Sequence, residues 1–217
     1  FYGSVPGNVE RRGEIDVFYA AVSRMDKHGY FSFGTAGDMG DLVHKAKKVF
    51  LEVNPTAPRT HGNCFIHISE ITALCETSIP ITEVPACEIT DVDKVIGAYI
   101  AAEIPDGACI QLGIGGMPNA VAQGLFDRKD LGVHSEMFTE SMVDLIEAGV
   151  INNSKKNVHR GKCLVTFTFG SRKVYDFLDD NPGVQFAPVN YVNNPFIISQ
   201  NDNMISINAC IEVDLFG

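Results

Sequence analysis

At 217 residues, 45% of them apolar, the chain is long enough for one large or two small domains with a sizeable core, and its composition excludes disorder. The formal net charge of −10 argues against a nucleic-acid surface, which needs a basic stripe. It leaves room for an anionic ligand, because a local turn of N–H groups binds one inside an acidic protein. No apolar run approaches the roughly 18 residues of a membrane span, and no charged stretch followed by an apolar one marks a signal peptide. The six cysteines, Cys64, Cys75, Cys87, Cys109, Cys163 and Cys210, form no CxxC, and several sit in apolar runs. The expectation is reduced core thiols in a cytoplasmic protein. The chain begins Phe1-Tyr2-Gly3 without Met and stops at Gly217 directly after a strand-like run. A parallel sheet rarely ends on an unsupported edge, so the reading is a piece of a longer enzyme.

In chain order, residues 1–12 carry no clear pattern. Asp16–Val22 is a short apolar run that reads as a buried strand. SRMDKHG (23–29) is turn chemistry, and Tyr30–Gly34 reads as a second strand or its exposed end. Asp38–Lys48 reads as a helix whose basic end suits its C-terminal dipole. Val49–Val53 is the next buried strand, after which Pro55 and Pro58 impose a loop. His61, Cys64 and His67 match no closed zinc spacing, and FIHIS alternates like a strand. Ile68–Leu74 reads as a short turn of helix, and Pro85-Ala86-Cys87 as a linker.

Thr90 with Asp93 forms a capping-box pattern. Val92, Val95, Ile96, Tyr99 and Ile100 follow at helical spacing. Ala108–Leu112 is a strand running into a glycine turn, Pro118 suits the first helical position after it, and Asn119–Leu125 continues that helix. Gly132–His134 is a short strand leading to Glu136. Thr139 or Ser141 opens a helix closed by Gly149. KCLVTFTF (162–169) is a strong strand, and Gly170-Ser171 caps the helix that follows. Val184–Val189, Met204–Asn208 and Ile211–Leu215 are further strands. Strands alternating with helices of about ten residues imply βαβ units and a three-layer α/β/α fold on a mainly parallel sheet.

Ligands of open α/β sheets bind beyond the carboxyl ends of strands. Two features follow strands here. One is the turn Gly113-Ile114-Gly115-Gly116-Met117-Pro118, whose glycines let the backbone approach a ligand and aim N–H groups at it. The other is Glu136. A dinucleotide fingerprint wants glycine where Pro118 stands, although Asp130 and Glu136 lie near the offset of about 20 residues where such a site carries its acid. A tight strand–helix turn without a ligand is the bland alternative. Glu140 and Glu147 read as solvated surface groups. Glu136 differs by its place at a strand end beside the turn. A carboxylate is a weak nucleophile, but it attacks a thioester when held in place with N–H donors at the oxyanion.

The segments GIGGMPNAV, HSEMFTESMVDLIEAGVINNSKK and NDNMISINACIEVDL, with DVFYAAVSRMDKHGYFSFG upstream, resemble the acetyl-CoA hydrolase/transferase family across essentially all 217 residues. Within it the likeness is strongest to the 4-hydroxybutyrate and butyryl-CoA:acetate CoA-transferases. The resemblance implies two related α/β domains in tandem, with 1–86 the latter part of the first and 87–217 the first part of the second. It implies that Glu136 forms the acyl and CoA esters, that the turn Gly113 to Met117 lies at the CoA thioester, that Ile211 touches CoA and that Asn193 orients the reacting groups. Where relatives often have Asp-Gly, this chain has Glu140-Ser141, and the family's later glycine-rich CoA segment is absent. CoA is then a substrate, short-chain carboxylic acids are its partners, no metal is needed, and the protein is a homodimer or homotetramer. An acyl-CoA hydrolase on the same scaffold, a sugar-phosphate isomerase with Glu136 as base, and a non-catalytic CoA-binding domain are the competing readings.

Overall fold

The computed structural model describes residues 4–38, 40–210 and 212–217. The first segment runs α1 (Val5–Arg11), β1 (Ile15–Val22), β2 (Tyr30–Ser32), α2 (Gly40–Val43), β3 (Ala46–Val53), β4 (His61–Gly62), β5 (Phe65–His67) and β6 (Ala73–Glu76). The second runs α3 (Asp91–Ala102), β7 (Cys109–Leu112), α4 (Gly116–Gln123), β8 (Gly132–Val133), β9 (Met137–Phe138) and α5 (Glu140–Glu147). It continues through β10 (Cys163–Val165), β11 (Phe167–Thr168), α6 (Arg172–Leu178), β12 (Val184–Phe186), α7 (Val189–Val192), α8 (Pro195–Ile198) and β13 (Met204–Ile207).

The strands pair mainly in parallel, giving a mixed α/β fold. In one sheet the order is β1-β3-β6, and a second pairs β2 with β5 antiparallel. In the main sheet β13-β7-β8 meets β10-β12-β4 through a parallel bridge between His134 and Leu164. Strands covered on both faces read as unbroken apolar runs. Cys109, Ile110 and Leu112 of β7 and Cys163, Leu164 and Val165 of β10 are accordingly buried. One hydrophobic core takes residues from both segments, from Val22 and Leu51 to Leu112, Phe138 and Phe186. Through β4 the first segment joins the main sheet, with His61 and Gly62 in register with Gln185 and Phe186.

Several expectations need correction. The helix over 38–48 shrinks to Gly40–Val43, and Lys47 and Lys48 belong to β3. There Val49, Leu51 and Val53 alternate inward, and Lys47 points out to Glu14 and Asp16, so period two outcompetes the basic helix end. β1 is half-buried rather than buried: Phe18 and Ala20 pack on the core while Val17 and Tyr19 face outward. Only a three-residue 3-10 turn, Ile68–Glu70, forms before β6. Gly116, not Pro118, is the first residue of α4, whose N-cap is Gly115. Pro118 is its third residue, where the missing N–H is still harmless. KCLVTFTF breaks into β10 and β11 at Thr166, and Val189 begins a helix instead of ending a strand. Residues 212–214 form no strand, and Ile211 lies outside the described residues.

Helix α3 shows the expected capping box, with the Thr90 hydroxyl accepting from Asp93 N–H and the Asp93 carboxylate accepting from Thr90 N–H. Its apolar stripe, however, is solvent-facing except at Ile100, which packs on the core: Val92 is 67% and Tyr99 75% exposed. The helix packs through Gly97 and Ala101 instead. A Cβ on Gly97 would lie 2.9 Å from the Ala120 Cβ of α4. Small residues on both helices decide the contact, because backbones can then approach closely.

The cysteines divide. Cys64, Cys109 and Cys163 are buried and Cys75, Cys87 and Cys210 exposed, all free. Core thiols are therefore half the set. Burial pushes each of the three inner thiols up to about 11. At pH 8 only about one in a thousand is thiolate, the reactive form. Alkylation of the native protein at pH 8, read by peptide mass spectrometry, is expected to spare these three and to label them only after unfolding. Native labelling of Cys163 at the rate of a free thiol would contradict this.

Candidate active site

Glu136 occupies the break between β8 and β9, at the carboxyl end of the strand. The break is anchored on both sides. Ser135 N–H donates to the Leu164 carbonyl at 3.0 Å, and the Glu136 carbonyl accepts from Thr166 N–H at 2.9 Å and Phe167 N–H at 3.2 Å. With its main chain committed to the neighbouring strand, the half-buried side chain enters a cavity of about 500 Å³. The cavity wall includes Gly113, Ile114, Phe167, Asn193 and Ser206. Asn193, the C-cap of α7, donates from Nδ2 to Glu136 Oε2 in a short hydrogen bond. One carboxylate oxygen is thereby oriented by a neutral donor.

The glycine turn contributes unevenly. Gly113 and Ile114 line the cavity with Glu136. Gly113 N–H is already committed to the Ile207 carbonyl at 2.8 Å. Gly115 has φ +124°, a left-handed conformation that suits glycine. Gly116 sits against the Glu88 carbonyl, where a Cβ would come within 2.7 Å. Met117 packs on the core.

Other wall residues carried no signal of their own in the sequence. Gln111, Ser206 and Asn208 form a polar network at the ends of β7 and β13. Ser206 Oγ donates to Gln111 Oε1 at 2.5 Å, and Asn208 Nδ2 donates to the same oxygen at 2.9 Å. His134 lies two residues before Glu136 and shares the cavity wall with it. It is 1% exposed, and burial holds its imidazole below the usual histidine range. Glu140, expected in solvent, accepts from Ser171 Oγ at 2.5 Å. Among the described residues no group of three or more His, Cys, Asp or Glu is placed to hold a metal.

A sequence profile described as "Acetyl-CoA hydrolase/transferase N-terminal domain" matches residues 2–96, and one described as "Acetyl-CoA hydrolase/transferase C-terminal domain" matches 170–217. The chain belongs to the acetyl-CoA hydrolase/transferase family. Among its relatives, the 4-hydroxybutyrate coenzyme A transferase of Clostridium kluyveri is 48% identical over all of this chain and 51% of its own length. The succinyl-CoA:cyclohexane-1-carboxylate CoA transferase of Geobacter metallireducens is 46% identical over all of this chain and 50% of its own. The crystal structure of RipA from Yersinia pestis superposes with a TM-score of 0.95 at 42% identity, over 99% of this chain and 50% of that one. The chain thus spans about half the length of these acetyl-CoA hydrolase/transferase relatives. No helix among its described residues is long and apolar enough to cross a membrane.

Proposed function

We propose that the protein carrying this chain is a CoA-transferase that moves CoA between a short-chain acyl-CoA, such as butyryl-, 4-hydroxybutyryl- or acetyl-CoA, and a carboxylate such as acetate. The observation that carries this reading is one oriented carboxylate, Glu136 held by Asn193, sharing a cavity with the Gly113–Ile114 turn. The names of the relatives support it. Residues 1–86 belong to one CoA-transferase-type domain and 87–217 to a second, in a cytoplasmic homodimer or homotetramer.

The reaction follows from the chemistry of a carboxylate nucleophile. Glu136 attacks the acyl-CoA carbonyl and expels CoA thiolate, leaving an acyl-glutamyl anhydride. The developing oxyanion is met by amides of the turn. The thiolate then attacks the glutamyl carbonyl, releasing the first acid and leaving a glutamyl-CoA thioester. A second carboxylate reverses both steps. The glutamyl-CoA thioester is nearly isoenergetic with the acyl-CoA consumed, and only a carboxylate side chain can carry CoA as a thioester, so this exchange calls for Glu rather than Ser. Binding of the remote parts of CoA supplies energy realised in the transition state.

The test is product analysis on the intact protein with butyryl-CoA and acetate. The expected result is acetyl-CoA formed in step with butyrate released, with ping-pong kinetics. Free CoA in place of acetyl-CoA, at a rate independent of acetate, would mark an acyl-CoA hydrolase instead.

A further inference from the structure

The Glu136–Asn193 pair joins two residues 57 apart in sequence, and something must hold their segments in register. Asn193 ends α7, a helix of four residues, Val189–Val192, with no side-chain bond at its N-cap. One turn of helix is too short to be stable alone. Its Val189 and Tyr191 carbonyls accept from the Asn193 and Asn194 amides, whereas its last carbonyl, Val192 O, is met by His134 Nε2 at 2.7 Å.

We propose that His134 is a positioning residue for the Glu136 chemistry, its ring tying the Glu136 strand to the helix that presents Asn193. The proposal rests on Glu136 being the nucleophile. His134 stands two residues before Glu136, and Val192 one residue before Asn193. Ring, carboxylate and amide therefore close a short loop in which the ring fixes one side. The residue is itself held from three directions, twice through its main chain and once through its ring. His134 N–H donates to the Ile110 carbonyl of β7 at 3.1 Å, and its main chain bridges Leu164 of β10. Asn201 Nδ2 approaches Nδ1 at 3.1 Å.

The tautomer follows from this arrangement. Asn201 Oδ1 accepts from Val158 N–H at 3.5 Å, so its amide turns Nδ2 toward the ring. That nitrogen only donates, so Nδ1 carries the lone pair and Nε2 the proton, as the Val192 carbonyl requires. A cationic ring would set a proton against the Asn201 amide. Asn201 is thus the residue that keeps His134 in its donating form.

The experiment compares His134→Phe, His134→Gln, Asn201→Ala and Glu136→Gln in the intact protein by kcat, KM, melting temperature and the rate of glutamyl-CoA formation. Phe fills the space without a donor, whereas Gln puts an amide nitrogen the same number of bonds from Cα as Nε2. His134→Phe is expected to lower kcat and the adduct rate by about thirtyfold with KM for acyl-CoA within about twofold, as for a small misplacement of the reacting groups. His134→Gln is expected to recover most of that loss. Asn201→Ala is expected to lower kcat several-fold with KM for acyl-CoA unchanged, in a protein that remains folded at the assay temperature but melts a few degrees lower for its lost buried hydrogen bonds. Wild-type kcat in His134→Phe, or His134→Gln as slow as His134→Phe, would overturn the proposal. If His134→Phe does not fold, Asn201→Ala decides: a loss of kcat at constant KM, measured below its melting transition, supports the tie, and wild-type kcat overturns it. Transfer retained in Glu136→Gln would remove the nucleophile reading itself, a result separate from any behaviour of the His134 variants.

Discussion

Glu136→Gln is expected to lower CoA transfer by about three to five orders of magnitude, the scale of loss when a nucleophile is removed. The substitution keeps the shape of the side chain and an oxygen for the Asn193 amide, but an amide does not form the anhydride. Because Glu136 is half-buried and lines the cavity, the fold should not suffer. Active-site charges often cost stability, so the melting temperature is expected to hold or rise slightly. CoA binding through its remote parts should survive, separating loss of chemistry from loss of affinity. Borohydride added after acyl-CoA reduces a glutamyl thioester to an alcohol. Mass spectrometry should find that alcohol at position 136 of the wild type and nowhere in the variant. An adduct on another residue, or full activity in the variant, would end the covalent reading.

How much of this site was legible before any coordinates depended on range. The strand Cys109–Leu112, its glycine turn and the capped helix at Thr90 are local patterns, and the structure has them where the residues indicate. Glu136 was visible as the lone acid between short apolar segments. Asn193 had no such pattern. Its place beside Glu136 is made by α7 folding back over the main sheet, and only family resemblance pointed to it. His134 offered a fainter clue, a polar residue in an otherwise apolar strand, but its partners Val192 and Asn201 are 58 and 67 residues away. Apolar periodicity misled twice for one reason. It reports which residues share a face and not which face is covered. On α3 the covered face is the one with Gly97 and Ala101, and on β1 the Val17–Tyr19 side stays open. The strand His61–Gly62 was illegible because two residues have no period.

That two-residue strand carries the second large effect: Gly62→Ala is expected to destabilise the protein by about 3–5 kcal/mol, at the severe end for a single substitution. Two costs add. Gly62 has φ +120°, a conformation that strains any residue with a Cβ by about 1–3 kcal/mol. The added Cβ would also stand 2.2 Å from the Phe186 carbonyl oxygen and 2.7 Å from the Phe186 nitrogen. These are main-chain atoms of β12, whose Phe186 is fully buried and whose other edge is paired to β10. No side chain can rotate away to make room, so β4 must leave β12. It would take with it the 2.8 Å bond from Asn63 N–H to the Phe186 carbonyl, and with that the strand pairing of the first segment to the main sheet, leaving the shared core and the bonds from Thr168 N–H to the Thr35 carbonyl and from Val189 N–H to the Asp38 carbonyl to hold the two together. At about 2–4 °C per kcal/mol for a domain of this size, the melting temperature should fall by roughly 10 °C. Gly149→Ala separates the two costs. Gly149 has φ +76° with nothing within 4 Å of a would-be Cβ, so only the backbone penalty of about 1 kcal/mol applies. If the two variants melted together, the contact of Gly62 with Phe186 would not be what holds the segments, and β4 would be a bystander at the edge of the sheet.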